Sequence, residues 1–110
     1  MLVDKNGNIS IITQEKATII ELNERITAMY DDIANDNIVV VLNSLNGISG
    51  ALVSEFLQLS NTHREAKHSF VIVSDKVDMD TVSEALIIVP TLQEAYDLIE
   101  MEEMERDLGF

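Results

Sequence analysis

Cysteine is absent from the 110-residue sequence, and glycine and proline are scarce, with four and one residues. The lack of cysteine excludes disulfides, thiolate metal sites and cysteine nucleophiles. The four glycines form neither a P-loop nor a G-x-G-x-x-G motif, so we expect no glycine-rich phosphate-binding loop. No apolar run approaches the roughly 20 residues that a membrane-spanning helix needs. The chain does not open with a basic segment followed by an apolar stretch, which leads us to expect a cytoplasmic protein.

Positive charge is also scarce. The chain has twenty acidic and seven basic residues, which gives a net charge of −13. A field of that sign repels phosphate backbones and anionic lipid, so nucleic-acid and membrane binding are disfavoured. The imbalance is greatest from Asp75 to Phe110, which contains eleven acids and two bases. This segment would attract a basic partner, although solubility alone also explains it.

The first third of the chain predicts a hairpin and a helix. The turn signal Asn6-Gly7 separates an opening apolar stretch from the β-branched run Ile9–Thr13. Thr18 and Glu21 fit a capping box, a reciprocal side-chain cap at a helix start. A helix from about 19 to 34 follows, because apolar residues recur there in steps of three and four. These apolar positions are Ile19, Leu22, Ile26, Met29 and Ile33.

Two continuously apolar runs, Ile38–Leu42 and Phe70–Val73, are typical of strands at the centre of a parallel sheet, covered on both faces. Between them, Ser49 is the expected N-cap of a helix that continues to about Lys67. The apolar positions of this helix have helical spacing. They are Leu52, Val53, Phe56, Leu57 and Leu59.

The last third of the chain predicts shorter elements. A capping-box pattern at Thr81–Glu84 predicts one turn of helix, and Leu86–Val89 predicts a final short strand. A further capping box at Thr91–Glu94 opens a last helix. The helical pattern stops near Met101, so we expect an acidic C-terminal tail at about 101–110.

The predicted element order is β-β-α-β-α-β-(α)-β-α. Strands that alternate with helices predict an α/β domain, with helices packed on a mixed, mostly parallel sheet of about five strands. The opening hairpin adds one antiparallel edge to that sheet. A chain of this length forms one domain, so we expect residues 1–110 to fold together.

Few residues offer catalytic or metal-binding chemistry. The spacing of His63 and His68 does not place them on one helical face, and we interpret both as solvated surface histidines. Asp75, Asp78 and Asp80 follow a buried strand, where carboxylates can bind magnesium. The apolar residues between these acids instead indicate a turn with outward charges. We therefore expect no catalytic residue, no metal and no cofactor.

The expected acidic tail combines charge with apolar side chains. Glu102 and Arg106 are spaced for an ion pair on a helix, and Glu100, Glu103 and Asp107 would share one helical face. A solvated helix end explains this composition, and a partner-binding segment is the alternative. The candidate contact residues of that segment are Met101, Met104, Arg106, Asp107, Leu108 and Phe110.

The connection Asn43–Gly50 is the most promising site, because it follows a central strand and opens a helix. Its candidate contact residues are Asn46, Gly47, Ser49 and Gly50. A phosphate on Ser49 would be stabilised at the helix N-terminus and would change the local charge by about −2. The simpler interpretation is that the Ser49 hydroxyl only caps the helix.

Element order and motif together resemble the STAS domain, the fold of bacterial anti-anti-sigma factors, over nearly the whole chain. In that family a strand leads to a D-S-[ST]-G-[LV] loop and then a helix, and Ser49-Gly50 with Leu52 matches the end of that motif. The resemblance implies one STAS-like domain and makes Ser49 the candidate phosphoacceptor for an anti-sigma-type kinase. Ile48 stands where the family places a hydroxyl residue, and many STAS domains act as binding modules without the switch.

The closing stretch VPTLQEAYDLIEMEEMERDLGF is similar to the end of short bacterial proteins labelled ribonuclease Z. The nuclease of that name resembles the metallo-β-lactamases and needs an H-x-H-x-D-H run for two zinc ions. This chain has two histidines in all and no such run. The resemblance therefore implies an accessory of RNA processing or a transferred label, without a metal site in this chain.

Three functions remain after these observations. The first is a non-catalytic, cytoplasmic interaction module that presents residues 43–50 and the acidic end to an anti-sigma-type kinase or another basic-surfaced protein. The second is a phosphorylatable switch that acts through Ser49. The third, a metal-dependent RNA nuclease or an accessory of ribonuclease Z, is opposed by the acidity of the chain.

Overall fold

A computed structural model of the chain describes residues 1–109. Within that range the strands are β1 (Leu2–Asn6), β2 (Ile9–Thr13), β3 (Asn37–Val41), β4 (Phe70–Val73) and β5 (Ile88–Val89). The helices are α1 (Ile19–Ala28), α2 (Tyr30–Ile33), α3 (Gly50–Val53), α4 (Leu57–Glu65) and α5 (Leu92–Asp107). A 3₁₀ turn at Ser54–Phe56 joins α3 to α4, so the second predicted helix forms in three pieces.

The strands lie in the sheet in chain order, β1-β2-β3-β4-β5. β1 and β2 pair antiparallel, and every later neighbour pairs in parallel, so the predicted mixed and mostly parallel sheet is confirmed. The two apolar strands, β3 and β4, lie side by side at the centre, as predicted. All four residues of β4 are buried, because helices cover the sheet centre on both faces.

Gly7 and Asn8 form the two-residue turn between β1 and β2, with Asn6 and Ile9 paired across it. The backbone φ of Gly7 is 61°, in the left-handed region that favours glycine. Positive φ at only the first loop residue is the type II′ pattern, whose twist suits a hairpin. The predicted turn is therefore confirmed, one residue later than its sequence signal.

The helices α1 to α4 cover one face of the sheet. Their buried apolar side chains include Leu22, Ile26, Val53 and Phe56, which belong to one cluster with the inward side chains of β2, β3 and β4. When parallel strands are added in one direction with connections of one hand, the connecting helices fall on the same face. The strand order and the common hand of the connections therefore explain why these four helices lie on one face of the sheet.

Helix α5 alone covers the opposite face. Its residues Ala95 and Ile99 pack against Val39, Val71 and Val73 of the central strands. A helix is roughly 10 Å wide and strands are about 4.8 Å apart, so one helix covers about two strands. The hairpin side of this face stays open, and all five residues of β1 are exposed.

Some predicted element boundaries are wrong. The helix predicted from 19 to 34 is interrupted at Met29, which is the C-cap of α1 and the N-cap of α2. The helical turn predicted at Thr81–Glu84 does not form, because the Thr81 hydroxyl bonds the Asp78 carbonyl and the Gly50 amide instead. The last strand is shorter than predicted, because Leu86 turns into the core before β5 begins.

The expected acidic tail is also wrong in its first part, since α5 continues to Asp107. Arg106 fixes the last turns of the helix by donating to Ser69 Oγ at 3.2 Å and to Asn37 Oδ1 at 3.4 Å. Charge-assisted hydrogen bonds of this kind are stronger than neutral ones. Among residues 1–109, no helix has both the length and the apolar character that a bilayer crossing requires.

Candidate functional site

The strand-end loop, residues 43–49, leaves the carboxyl end of β3 and is anchored at its start by Gln14. The Gln14 side chain accepts a hydrogen bond from the Asn43 amide at 2.8 Å and donates one to the Ala17 carbonyl, also at 2.8 Å. Gln14 is 8 % exposed; its bond to Ala17 is buried and its bond to Asn43 is partly buried. An amide buried in this way would be costly to leave unpaired, which holds the loop start in place.

The other end of the strand-end loop is anchored by the segment after β4, residues 74–87, which we call the facing loop. The Ile48 amide donates to the Lys76 carbonyl, and the Asp78 amide donates to the Ile48 carbonyl, each at 2.8 Å. The Gly50 amide donates to Thr81 Oγ1 at 2.9 Å. The two segments that the sequence shows separately, 43–50 and 75–80, therefore form one surface at the carboxyl ends of the central strands.

Gly50 is a packing residue of this surface rather than a contact residue, which corrects its predicted role. It is buried, and a Cβ atom placed on it would lie 2.2 Å from the Thr81 carbonyl carbon. Such an approach is sterically forbidden, so only glycine fits there. Gly47 and Asn46, by contrast, are exposed on the loop as predicted.

The tip of the strand-end loop presents an apolar side chain to solvent. Leu45 is 93 % exposed, although both loop ends are fixed. Ser44 Oγ accepts from the Asn46 amide at 3.2 Å and donates to the Asn46 carbonyl at 2.9 Å, which closes the tip around Leu45. Leu52 and Met79 add exposed apolar surface on α3 and on the facing loop. Exposed apolar patches are typical of surfaces that bind other molecules.

Ser49 caps α3, as the sequence predicts. Its Oγ accepts a hydrogen bond from the Leu52 amide at 3.1 Å, and its side chain is exposed. A phosphate at this oxygen would remain accessible to solvent. The facing loop brings Asp78 and Asp80 to the same edge, so a phosphate would add negative charge to an already acidic surface.

The acids of the facing loop form the predicted turn with outward charges. Asp75, Asp78 and Asp80 are all exposed, and Asp78 Oδ1 accepts from the Asp80 amide at 3.1 Å. Asp78 therefore closes its own turn through a local side-chain bond. Across the residues that the structure describes, no three histidine or acidic side chains come together as a metal site.

The interpretation of His63 as a solvated surface residue is wrong, and His68 is half-buried. His63 has no exposed surface, and its ring stacks on His68 at 5.2 Å between centroids. His63 Nε2 lies 2.7 Å from the Asp36 carbonyl oxygen, and Nδ1 lies 2.6 Å from the Tyr30 hydroxyl. Because a carbonyl only accepts, Nε2 carries the proton and Nδ1 accepts from Tyr30.

Burial lowers the pKa of His63 from its ordinary value, and the positive charges of nearby Arg64 and Arg106 add to this effect. Burial also raises the pKa of Tyr30, with a contribution from Asp31. A signal for the buried histidine does exist in the sequence. His63 lies seven residues, or about two helical turns, after the buried Phe56, and therefore on the same helical stripe.

A groove of about 680 Å³ lies between α1 and α4, and the sequence does not predict it. Tyr30 and Leu59 contribute to it beside polar side chains such as Asn23 and Gln58. Its residues lie far apart in the chain and share no motif, so no sequence signal marks it. The groove adjoins the Tyr30–His63 pair without containing the histidine.

The candidate contact residues at the end of α5 fall into two groups. Arg106 is half-buried and engaged with the sheet, and its predicted partner Glu102 pairs instead with Arg64 at 3.1 Å. The predicted Glu102–Arg106 ion pair is therefore wrong, because each side chain is engaged with a different partner. The exposed group comprises Met101, Met104, Asp107 and Leu108. Phe110 lies outside the described residues.

In comparisons with known proteins, the chain matches no protein-family model and no curated protein. A function for this chain is therefore inferred from the geometry of its own residues. The residues that the structure brings together most distinctly are those of the strand-end and facing loops.

Proposed function

We propose that this protein is a STAS-like interaction module of the cytoplasm, which binds a protein partner through the strand-end loop and α3. The observation that carries the proposal is the exposed Leu45 on a loop that is hydrogen-bonded to Gln14 at Asn43 and to the facing loop at Ile48. A loop fixed before binding loses less conformational entropy when a partner docks. Ser49-Gly50 at the start of α3, after the loop that follows the central strand β3, supports the STAS-like assignment.

The charge around this surface indicates a partner with a basic surface. The exposed acids of the facing loop lie next to the strand-end loop, and the whole chain carries −13. Opposite charge across an interface speeds association and discriminates against acidic competitors. The binding we propose therefore weakens as salt concentration rises.

A matched pair of variants tests the proposal. Leu45→Ser removes the apolar tip, whereas Leu108→Ser removes another exposed leucine, 72 % exposed, at the far end of α5. Tagged proteins are used to capture partners from cell lysate, and captured proteins are identified by mass spectrometry. We expect a protein that wild type and Leu108→Ser retain and Leu45→Ser loses. Equal capture by all three would refute a role for the loop.

A second candidate function is a phosphorylation switch on the same surface, in which an anti-sigma-type kinase modifies Ser49. The exposed position of this hydroxyl at the start of α3 favours it. Intact-mass spectrometry of protein purified from its native cells should show a singly phosphorylated form. Ser49→Asp should release the captured partner and Ser49→Ala should retain it. Absence of the modified form in all growth conditions, with equal binding by both variants, would exclude the switch.

A further inference from the structure

The side of the sheet that α5 leaves uncovered is a second candidate surface, remote from the strand-end loop. In the antiparallel register, Asp4 is opposite Ile11 and Asn6 is opposite Ile9, so these side chains share one face. Leu2 lies on the same face and is 53 % exposed. We call these five residues the open face. Ile9 and Ile11 pack beside α5 but are only half-buried, so part of this apolar surface meets solvent.

A groove of about 390 Å³ lies between the open face and α5. Its apolar parts include Ile9, Tyr96 and Met104, of which Met104 is 59 % exposed. Its acidic rim consists of Glu100, Glu103 and Asp107. These three acids lie on one side of α5, since their spacing of three and four residues matches the helical repeat. Asn8 Nδ2 donates to Glu103 Oε2 at 2.9 Å and connects the rim to the hairpin turn.

We propose that this groove docks a basic amphipathic helix of a protein partner. The open face lies beside α5 and is formed by two strands, β1 and β2. Two strands are about the width that one more helix would cover. An apolar stripe of such a helix would cover Ile9 and Met104, while its lysines or arginines would face Glu100 and Asp107. The acidic rim favours a basic partner over a second copy of this chain, because another chain carrying −13 would be repelled by the rim.

A designed peptide provides the probe. It has 18 residues, leucine and lysine only, arranged so that the leucines form one helical stripe, and it carries a fluorescent label. A scrambled peptide of the same composition has the same charge but no stripe. We expect fluorescence anisotropy at low salt to show about tenfold tighter binding of the striped peptide, because only it can bury apolar surface in the groove.

Two pairs of variants locate the site. Met104→Ala should weaken striped-peptide binding about fivefold, whereas Met101→Ala, on the same helix but outside the groove, should leave it unchanged. Glu100→Gln with Asp107→Asn should also weaken it about fivefold. The control Glu84→Gln with Glu105→Gln makes the same charge change at exposed acids elsewhere. Circular dichroism checks that each variant is folded.

Distinct outcomes would overturn this proposal without touching the proposed function. Equal binding of the scrambled peptide, or equal loss in the groove variants and their controls, would mean charge attraction without a site. Self-association of the protein that Met104→Ala abolishes would make a second copy the occupant. Leu45→Ser should leave peptide binding unchanged; if it weakens binding as Met104→Ala should, the peptide site is the strand-end loop and the groove is refuted.

Discussion

At the scale of single residues, His63 shows how a polar side chain can belong to the core. Each ring nitrogen has a partner, Tyr30 on one side and the Asp36 carbonyl on the other. A buried ring that lacked either bond would cost about 1–3 kcal/mol. The arrangement favours the neutral ring, because burial disfavours the charged form of His63 and lowers its pKa.

The pH dependence of stability follows from this preference. The pKa of His63 is lowered in the folded protein, so the unfolded chain, with the ordinary value of 6.5, binds a proton first as the pH falls. The stabilising contribution is therefore complete above about pH 6.5 and declines towards the lowered pKa, by at most about 1.4 kcal/mol per pH unit. Urea unfolding at a series of pH values should show this decline in wild type and not in His63→Gln. An equal decline in both proteins would assign it to other groups.

The two glycines of the strand-end region provide another residue-scale prediction. Gly50→Ala places a Cβ against the Thr81 backbone and should lower the free energy of unfolding by about 2 kcal/mol or more. Gly47→Ala is the control, since its Cβ meets nothing closer than the Lys76 carbonyl oxygen at 3.9 Å. Its effect should stay within about 0.5 kcal/mol. Denaturant unfolding of both variants measures the difference, and similar losses would contradict the close packing of Gly50.

Residue roles were predictable where they depend on neighbours in sequence. The Ser49 hydroxyl accepts a hydrogen bond from an amide three residues later, and the local sequence pattern predicts this cap. The partner of Glu102 could not be predicted in the same way, because Arg64 lies 38 residues earlier and meets it only after the helices have packed. The burial of His63 was not predicted for a different reason: its spacing from His68 says nothing about its contacts with Tyr30 and Asp36, which lie far away in the chain.

At the scale of elements, the end of α4 stores a small strain. Lys67 has a φ of 70°, which places it in the left-handed region. The Lys67 amide donates to the Arg64 carbonyl at 3.0 Å, and the His68 amide donates to the His63 carbonyl at 3.3 Å. This double closure is a Schellman motif, in which glycine is the favoured residue at the left-handed position.

Replacement of that lysine should therefore stabilise the protein. Lys67→Gly removes the Cβ penalty of the left-handed conformation and should raise the free energy of unfolding by roughly 0.5–1 kcal/mol. Glu65→Gly, two residues earlier inside the helix, is the matched control and should lower it by about 1 kcal/mol. Thermal and urea unfolding of both variants test the contrast. A loss of stability in Lys67→Gly would show that its side chain contributes more than its backbone costs.

Elements with long apolar periods were predicted well, and short ones were not. The central strands and the last helix start close to their predicted positions, because burial on a sheet constrains many side chains at once. The pattern at Thr81–Glu84 looks like a helix cap, yet the hydroxyl of Thr81 serves the Gly50 amide. A threonine hydroxyl suits a turn as well as a helix start, so only the tertiary partner decides between them.

At the scale of the whole molecule, the excess of acidic over basic residues produces charge repulsion within the fold. The described residues form three ion pairs, at Met1–Glu15, Lys5–Asp36 and Arg64–Glu102. The whole chain of 110 residues carries a net charge of −13, so most of its acids have no basic partner. Self-repulsion of this kind destabilises a compact state, and salt screens it.

Added sodium chloride should consequently stabilise the protein. We expect Tm to rise by about 4 °C between low salt and about 0.5 M, which corresponds to screening of roughly 1 kcal/mol of repulsion. Glu84→Lys with Glu105→Lys reduces the negative charge at exposed positions and should reduce the rise. Differential scanning calorimetry measures both. A Tm that falls with salt would mean that the ion pairs outweigh the repulsion.

The sheet itself was predictable as a whole, but the groove beside α5 was not. Alternating strand and helix patterns predict the mixed parallel sheet, because few topologies satisfy connection rules. Where α5 lies across the strands depends on the contacts of Ala95, Ile99 and Arg106 with distant residues. That lateral position decides which strands stay uncovered, and no local pattern encodes it.

Because each strand pairs only with its neighbours in the chain, every strand after β1 has a partner that the ribosome has already made. The hairpin can form first, and each later parallel strand then finds its docking edge already present. α5 emerges last and closes one side of a nearly finished sheet. The protein could thus fold during its own translation, and amide protection of β2 in ribosome-stalled chains that lack α5 would reveal that order.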